Sequence, residues 1–238
     1  MPNHIHTIPV LDALRDPKGC AFCVMHDKLQ ADAIQFIMGP AYMEEDVRTQ
    51  TNRMGFCEAH LGLMYNGQNR LGLALMLHTY MRRLNKEFSA ITGSKQPASF
   101  FGKDTNGPLA KVHSQLVETG GSCYVCDKVE STFDRYIDTF LHLWGKGGED
   151  AGLITSQKSY CLPHFTKLVA AADKLGRHKR EKFINEILLP QLKYMQELEE
   201  DLEWFTLKFD YRYANEPWKN AKDALPRALG MLGTKENP

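Results

Sequence analysis

The sequence predicts an all-α protein, and three features indicate this fold class. Apolar residues recur at steps of three and four along most of the chain, which is the period of a helix with one buried face. There is no convincing run in which apolar and polar residues alternate, as they do in a half-buried strand. A cysteine pattern also occurs twice, which indicates a duplicated helical module.

The first copy predicts a series of short helices. A helix follows Cys23 and should stop at Gly39-Pro40, because glycine and proline both disfavour its continuation. A second short helix is expected from 42 to 50. Gly55 then breaks the chain, and another helix should begin near Cys57 and run toward Tyr65.

Two longer helices are predicted further along the chain. The segment 69–91 is rich in helix formers, and its expected core stripe is Leu71, Leu75, His78 and Met81. A long C-terminal amphipathic helix should be kinked at, or begin near, Pro190. Its apolar positions are Leu188, Leu192, Met195, Leu198, Leu202, Phe205 and Phe209.

The duplication predicts the domain organisation. Residues 1–91 form a first module, and residues 109–178 form a second. Between them, 92–108 is rich in Gly, Pro, Ser and Asn and is the best linker candidate. Residues 179–238 provide the C-terminal helix and a tail that packs on the modules.

All six cysteines belong to the repeated pattern. Each copy has a Cys-x2-Cys pair followed by a Cys-x2-His pair, with 33 intervening residues in the first copy and 34 in the second. The first copy contains Cys20, Cys23, Cys57 and His60, and the second contains Cys123, Cys126, Cys161 and His164. We expect each copy to bind one metal ion through its own four ligands.

Three thiolates and an imidazole suit a closed tetrahedral zinc site, in which no position is left for a catalytic water. Two Zn²⁺ ions with a structural role are therefore expected. Thiolate-rich sites also bind iron–sulfur clusters, and spacing alone does not separate the two. A thiol redox role is the weaker interpretation, because no thioredoxin-like β-α-β pattern surrounds either pair.

The chain resembles an uncharacterised family of bacterial and archaeal proteins, a domain of unknown function built around these cysteine pairs. The resemblance covers the full length. It rests on HTIPVLDA (6–13), the first Cys-x2-Cys pair, GPAYMEEDVRTQTNRMGFCEAH (39–60), MYNGQNRLGLALMLHTY (64–80) and FDYRYANEPWKNAKDALPRA (209–228). It implies metal binding and no particular activity.

A polar cluster near the first Cys-x2-His pair is a candidate binding site. Its members are Tyr42, Glu44, Asp46, Arg48 and Asn52. Glu44 and Arg48 stand at i,i+4, where an ordinary helix ion pair is the simpler explanation. No phosphate loop, dinucleotide fingerprint, nucleophile elbow or HExxH motif is present, so the common enzyme classes lack support.

Charge and hydropathy limit the partners. The 29 Lys and Arg residues balance the 29 Asp and Glu residues, so bulk nucleic-acid binding is not expected. The N-terminus lacks the pattern of a secretory signal, and the apolar stretches are too short for a membrane span. We expect a cytoplasmic protein, with the C-terminal helix as a candidate oligomer contact.

The leading functional prediction is a zinc-stabilised binding or regulatory module. The alternative is an iron–sulfur or thiol redox protein that assists anaerobic metabolism. An enzyme that uses the 42–48 segment is the third hypothesis.

Overall fold

The computed structural model describes residues 4–17, 19–67, 69–93 and 107–233. All regular secondary structure in these ranges is helical, which confirms the predicted all-α class. The α-helices are α1 (His4–Arg15), α2 (Ala21–Met38), α3 (Glu45–Met54), α4 (Glu58–Tyr65), α5 (Arg70–Gly93), α6 (Pro108–Gly120), α7 (Tyr124–Lys146), α8 (Glu149–Thr155), α9 (Leu162–Ala172), α10 (Arg177–Phe183), α11 (Leu189–Leu207) and α12 (Ala224–Leu232). No helix in the described ranges has both the length and the apolar character needed to cross a bilayer.

The helices form two compact units, and one of them consists of two separate stretches of the sequence. One unit comprises 1–27 and 133–238, and the other comprises 28–132. The boundaries fall inside α2 and α7, so each of these helices contributes to both units. These units do not coincide with the sequential modules expected from the repeat. Most of the predicted linker, 92–108, lies outside the described residues.

Each unit has its own apolar core. In the 28–132 unit the core includes Ile37, Met64, Leu73 and Val125. In the other unit, Phe22 contacts the rings of Phe133, Phe140 and Tyr160, with ring centroids 4.9 to 6.0 Å apart. Burial of such rings is a major source of stability, because each removes a large apolar area from water.

The region after α2 differs in detail from the prediction. The helix ends at Met38, before Gly39 and Pro40, as expected. A 3₁₀ turn then covers Pro40–Met43, and Glu44 is extended (φ −68°, ψ 136°). The predicted helix over 42–50 is therefore divided, and its main part begins at Glu45.

The predicted core stripe of α5 is wrong. Leu71, Leu75 and Met81 are 68%, 37% and 52% exposed, whereas Leu73 and Met76 are buried. Leucine and methionine occupy several faces of this helix, so periodicity alone did not select the face that meets the core.

The helical run near Pro190 changes its winding. A turn of π-helix (Ile184–Leu188) precedes α11, and Pro190 lies in the first turn of that helix. Proline has no N–H and its ring clashes with the carbonyl four residues earlier, so a widened turn accommodates it. The helical run over 177–207 is continuous, so no helix begins at Pro190, and the change near this residue is the π turn.

Lys208 anchors the segment that comes after α11. Its side chain is buried, and its ammonium donates to the carbonyls of Tyr213, Ala214 and Glu216 at 2.6, 2.9 and 2.5 Å. These three acceptors use all three ammonium donors. The buried charge is thus compensated by the backbone of the segment that it holds.

Candidate metal centre

The four ligand pairs share one local geometry at the beginning of a helix. Cys57 and Cys161 are the N-cap residues of α4 and α9, while Cys20 and Cys123 directly precede α2 and α7. In each case the backbone N–H four residues after the first ligand donates a hydrogen bond to the carbonyl oxygen of that ligand. These bonds run from Val24 to Cys20 (3.2 Å), from Leu61 to Cys57 (2.9 Å), from Asp127 to Cys123 (3.0 Å) and from Phe165 to Cys161 (2.8 Å). This helical turn places the second ligand of each pair, three residues later, on the same side as the first.

The eight ligands form two clusters of four. The first cluster, called site 1 here, is Cys20, Cys23, Cys161 and His164; the second, called site 2, is Cys57, His60, Cys123 and Cys126. Within each cluster all donor atoms lie within 4.8 Å of one another. Site 1 belongs entirely to the 1–27 and 133–238 unit, and site 2 entirely to the 28–132 unit.

The expected pairing within each copy is therefore wrong. Each Cys-x2-Cys pair joins the Cys-x2-His pair of the other copy. Helix length explains this exchange, because α2 has 18 residues and carries the chain ~27 Å from its beginning, whereas α3 has only 10. Similarly, the 23 residues of α7 form a helix ~35 Å long that carries the chain away from Cys123 and Cys126 before the second Cys-x2-His pair.

The donor distances match a single tetrahedral ion. With bonds of ~2.3 Å to sulfur and ~2.0 Å to nitrogen, a tetrahedral zinc ion separates its sulfurs by ~3.8 Å and each sulfur from the nitrogen by ~3.5 Å. In site 1, Cys23 Sγ lies 3.4 Å from Cys161 Sγ and 3.4 Å from His164 Nδ1. In site 2, Cys57 Sγ lies 3.8 Å from Cys126 Sγ and 3.1 Å from His60 Nδ1. Both clusters thus fit a metal ion with little adjustment.

Both histidines direct Nδ1 toward the sulfurs. His60 Nδ1 lies 3.1 to 3.4 Å from all three sulfurs of site 2, and its Nε2 lies 3.3 Å from Gln30 Oε1. The amide oxygen can accept the Nε2 proton and so leave Nδ1 free to bind metal. His164 is instead packed against the rings of Phe133 and His26, with centroids 5.0 and 5.5 Å away.

In the metal-free protein, hydrogen bonds among the ligand groups of site 1 shift the pKa values of these groups strongly. Hydrogen bonds from Cys20 and Cys23 hold the pKa of Cys161 far below its ordinary value of 9.0. The hydrogen bond to Cys161 raises the pKa of Cys23 far above that value. Burial lowers the pKa of His164, but hydrogen bonds to Cys161 and Cys20 outweigh burial and raise it to about 9. The site therefore favours one thiolate beside an imidazolium and titrates as a unit.

In site 2, too, the pKa of one cysteine is lowered and that of another is raised. Burial raises the pKa of Cys57, but hydrogen bonds from the His60 backbone, Cys123 and Cys126 outweigh it, and the net shift is downward. Burial and the hydrogen bond to Cys123 raise the pKa of Cys126 to about 12. A metal ion must displace the remaining thiol protons when it binds.

Direct hydrogen bonds join the two backbone segments that carry the ligand pairs of site 2. Ser122 Oγ donates to the Met54 carbonyl at 2.7 Å, and the Tyr124 N–H donates to the Gly55 carbonyl at 3.0 Å. Gly55 has φ 64°, and a Cβ placed there would clash with the Tyr80 ring. Glycine is thus required both for the turn and for the close approach of that ring.

In site 1, the segment that leads to Cys161 is held by a side chain. Gln191 Oε1 accepts the Tyr160 N–H at 2.8 Å, and Gln191 Nε2 donates to the Tyr160 carbonyl at 3.0 Å. Sequence reasoning missed Gln191 and Gln30, because a glutamine within an amphipathic helix carries no spacing signal for a distant ligand.

The five candidate polar residues do not line one common cavity. Glu44 lines a cavity of about 400 Å³ with Asp32 and Phe36, whereas Arg48 and Asn52 line another of about 380 Å³. The two other members have different surroundings. Tyr42 packs against the core of the 28–132 unit, and Asp46 acts with burial to raise the pKa of Tyr124.

A cavity of about 830 Å³ lies in the C-terminal region and is lined by charges of both signs. Several of these charges pair with one another. Arg227 contacts Asp201 at 2.8 Å and Asp223 at 2.9 Å, and Lys193 contacts Glu197 at 3.7 Å.

The chain has no significant match among curated proteins or solved structures. A family of unknown function, DUF6062, has a family model that matches residues 1–237. The expected resemblance to an uncharacterised family is confirmed. The chain belongs to the DUF6062 family.

Proposed function

We propose that this protein binds two Zn²⁺ ions as structural cross-links and acts as a cytoplasmic binding or regulatory module. The observation that carries the proposal is the gathering of all six cysteines and two histidines into two closed sets of four donors. A site saturated by four protein ligands has no open position for a substrate or a catalytic water. The metals therefore serve the fold, and function depends on the surface that the fold presents.

The sequence separations within the sites support a structural role. Site 1 joins residues 138 and 141 positions apart, and site 2 joins residues 63 to 69 positions apart. Closing such long loops costs conformational entropy, which metal binding offsets. Each ion also ties together the beginnings of two helices, whose positive ends favour the thiolates.

The close spacing of the donors favours one ion per site over an iron–sulfur cluster. In a cluster the thiolates bind two or more different iron atoms, and the bridging sulfides spread those thiolates apart. Here the paired sulfurs are only 3.4 and 3.8 Å apart. None of the six cysteines forms a disulfide, which agrees with a reducing compartment such as the cytoplasm.

Elemental analysis of anaerobically purified protein tests this proposal. We expect about two zinc ions per chain, no acid-labile sulfide and a colourless solution. If the protein is brown and contains iron and sulfide, the zinc assignment is wrong and the iron–sulfur hypothesis takes its place. Protein with less than one metal ion per chain, and no uptake of added Zn²⁺ or Cd²⁺, would reject metal binding altogether.

A further inference from the structure

Gln191 is a fully buried polar side chain whose hydrogen bonds are concentrated on one residue. It is 2% exposed and is among the largest fully buried side chains described. Its amide oxygen accepts the Tyr160 N–H, and its amide nitrogen donates both to the Tyr160 carbonyl and to Met231 Sδ, 3.3 Å away. Both amide protons and the amide oxygen thus have partners, which compensates the cost of burying this group.

The two bonds to Tyr160 fix the peptide groups on both sides of that residue. The Tyr160 N–H belongs to the peptide group that precedes it, and the Tyr160 carbonyl belongs to the peptide group shared with Cys161. Fixing both groups restricts φ and ψ of Tyr160. The direction in which Cys161 enters site 1 is consequently set by a side chain of α11.

The surroundings of this contact leave little freedom. Tyr160 and Cys161 are 4% and 2% exposed, and the Tyr160 ring packs against Phe22 and Phe140. Phe22 lies between Cys20 and Cys23, so the same packed group includes a residue flanked by two ligands. Movement of Tyr160 would therefore disturb both halves of site 1.

The winding of the helix before Gln191 brings this side chain to the core. A π turn adds one residue to the helix and rotates the next helical segment by ~100° relative to a regular α-helix. Within the helical run 177–207 the buried residues are Phe183, Ile187, Gln191 and Leu198. Leu192, which the predicted apolar stripe placed in the core, is 44% exposed. The π turn thus helps to place an amide where the sequence pattern predicts leucine.

We infer that Gln191 is a positioning residue for site 1, which couples the C-terminal helices to the coordination of its metal ion. This inference rests on the proposed metal binding. It assigns to α11 a role in holding a ligand as well as in covering the core. It also distinguishes the sites, because in site 2 the corresponding segment is held by Ser122 and by the backbone of Tyr124.

Metal release from Gln191→Met tests the inference. Methionine keeps the length of the side chain but cannot pair with both backbone groups of Tyr160. We expect one of the two metal ions to transfer to a coloured chelator about 10 to 100 times faster than in the wild type, the same factor by which loss of an outer-shell partner typically weakens metal affinity. The second ion should leave at the wild-type rate.

Cadmium NMR identifies the affected site. Protein loaded with ¹¹³Cd²⁺ should give two resonances, and the one that survives in Cys57→Ser belongs to site 1. Gln191→Met should shift or broaden that resonance and leave the other unchanged. Gln30→Met is the matched control, because Gln30 contacts His60 and its loss should affect only the resonance of site 2.

The measurements also separate a packing role from a positioning role. If Gln191→Met melts at a lower temperature but releases both ions at wild-type rates and keeps both resonances, Gln191 only fills the core and the inference is rejected. Gln191→Asn provides a second test if the methionine variant does not fold, because it keeps the amide but is one methylene shorter and cannot reach both backbone groups of Tyr160 in the same way. Wild-type protein that binds no Cd²⁺ would reject the proposed function itself, which is a different outcome from two bound ions that are insensitive to Gln191.

Discussion

Cys23 and Cys161 lie with their Sγ atoms 3.4 Å apart, although 138 positions separate them in the sequence. The contact belongs to a cluster of four donors that brings the beginnings of α2 and α9 together. An ion bound there cross-links the two sequence segments of one compact unit, 1–27 and 133–238. Each site therefore combines the Cys-x2-Cys pair of one copy of the motif with the Cys-x2-His pair of the other copy.

Loss of one ligand should destabilise the fold strongly. Structural zinc contributes on the order of 10 kcal/mol of apparent binding energy, which approaches the whole stability of a typical domain. Cys57→Ser should lose about one metal ion per chain and melt far below the wild type. Hydrogen exchange should quicken more in 28–132, the unit that contains site 2, than in the other unit. If Cys57→Ser melted at the wild-type temperature but lost a redox activity, the metal of site 2 would not have a structural role.

Metal affinity of site 1 should rise with pH. In the metal-free protein the pKa of His164 is raised to about 9 from an ordinary value of 6.5, so this imidazole carries a proton at neutral pH that the metal must displace. Chelator competition at pH 6.5, 7.5 and 8.5 should show the affinity increasing about tenfold per pH unit for each proton released. An affinity independent of pH over this range would show that the histidine and thiol protons are already lost before the metal binds.

The metal-free protein should respond to pH in the opposite direction through His164. A raised pKa in the folded state means that the protonated imidazole stabilises the fold fully below pH 6.5, and that this contribution is lost as the pH rises through about 9. Urea unfolding of chelator-treated protein in the presence of a reductant, at pH 6.5 and pH 9, measures the change. His164→Gln, which does not titrate, should reduce the difference between the two pH values.

Gly55→Ala should destabilise the turn that leads to Cys57. Gly55 has φ 64° and ψ −154°, a region that is essentially restricted to glycine and costs a residue with a Cβ ~1–3 kcal/mol. The clash with the Tyr80 ring adds the cost of overpacking, typically ~1–3 kcal/mol. Urea unfolding should show a loss of ~2–6 kcal/mol in the free energy of unfolding. Gly62→Ala is the control, since its Cβ meets nothing within 4 Å and alanine favours the α4 helix; an equal loss in both variants would remove the special role of Gly55.

The sequence predicted the features that its local spacing encodes. The Cys-x2-Cys and Cys-x2-His pairs each fit one helical turn, so the eight donors could be recognised individually, and Gly39-Pro40 marked the end of α2. The partner of each pair could not be predicted, because it depends on how far α2 and α7 carry the chain. The buried face of α5 and the role of Gln191 likewise depend on tertiary packing, which a periodic pattern does not contain.

The metal content of two double variants tests the exchanged pairing most directly. Cys20→Ser with Cys161→Ser removes two ligands of site 1 and none of site 2, so this protein should retain about one zinc ion per chain. Cys20→Ser with Cys57→Ser removes one ligand from each site, so it should lose most of both ions. The opposite result, in which the first variant loses both ions and the second retains one, would show that each copy of the motif binds its own metal and would contradict this account.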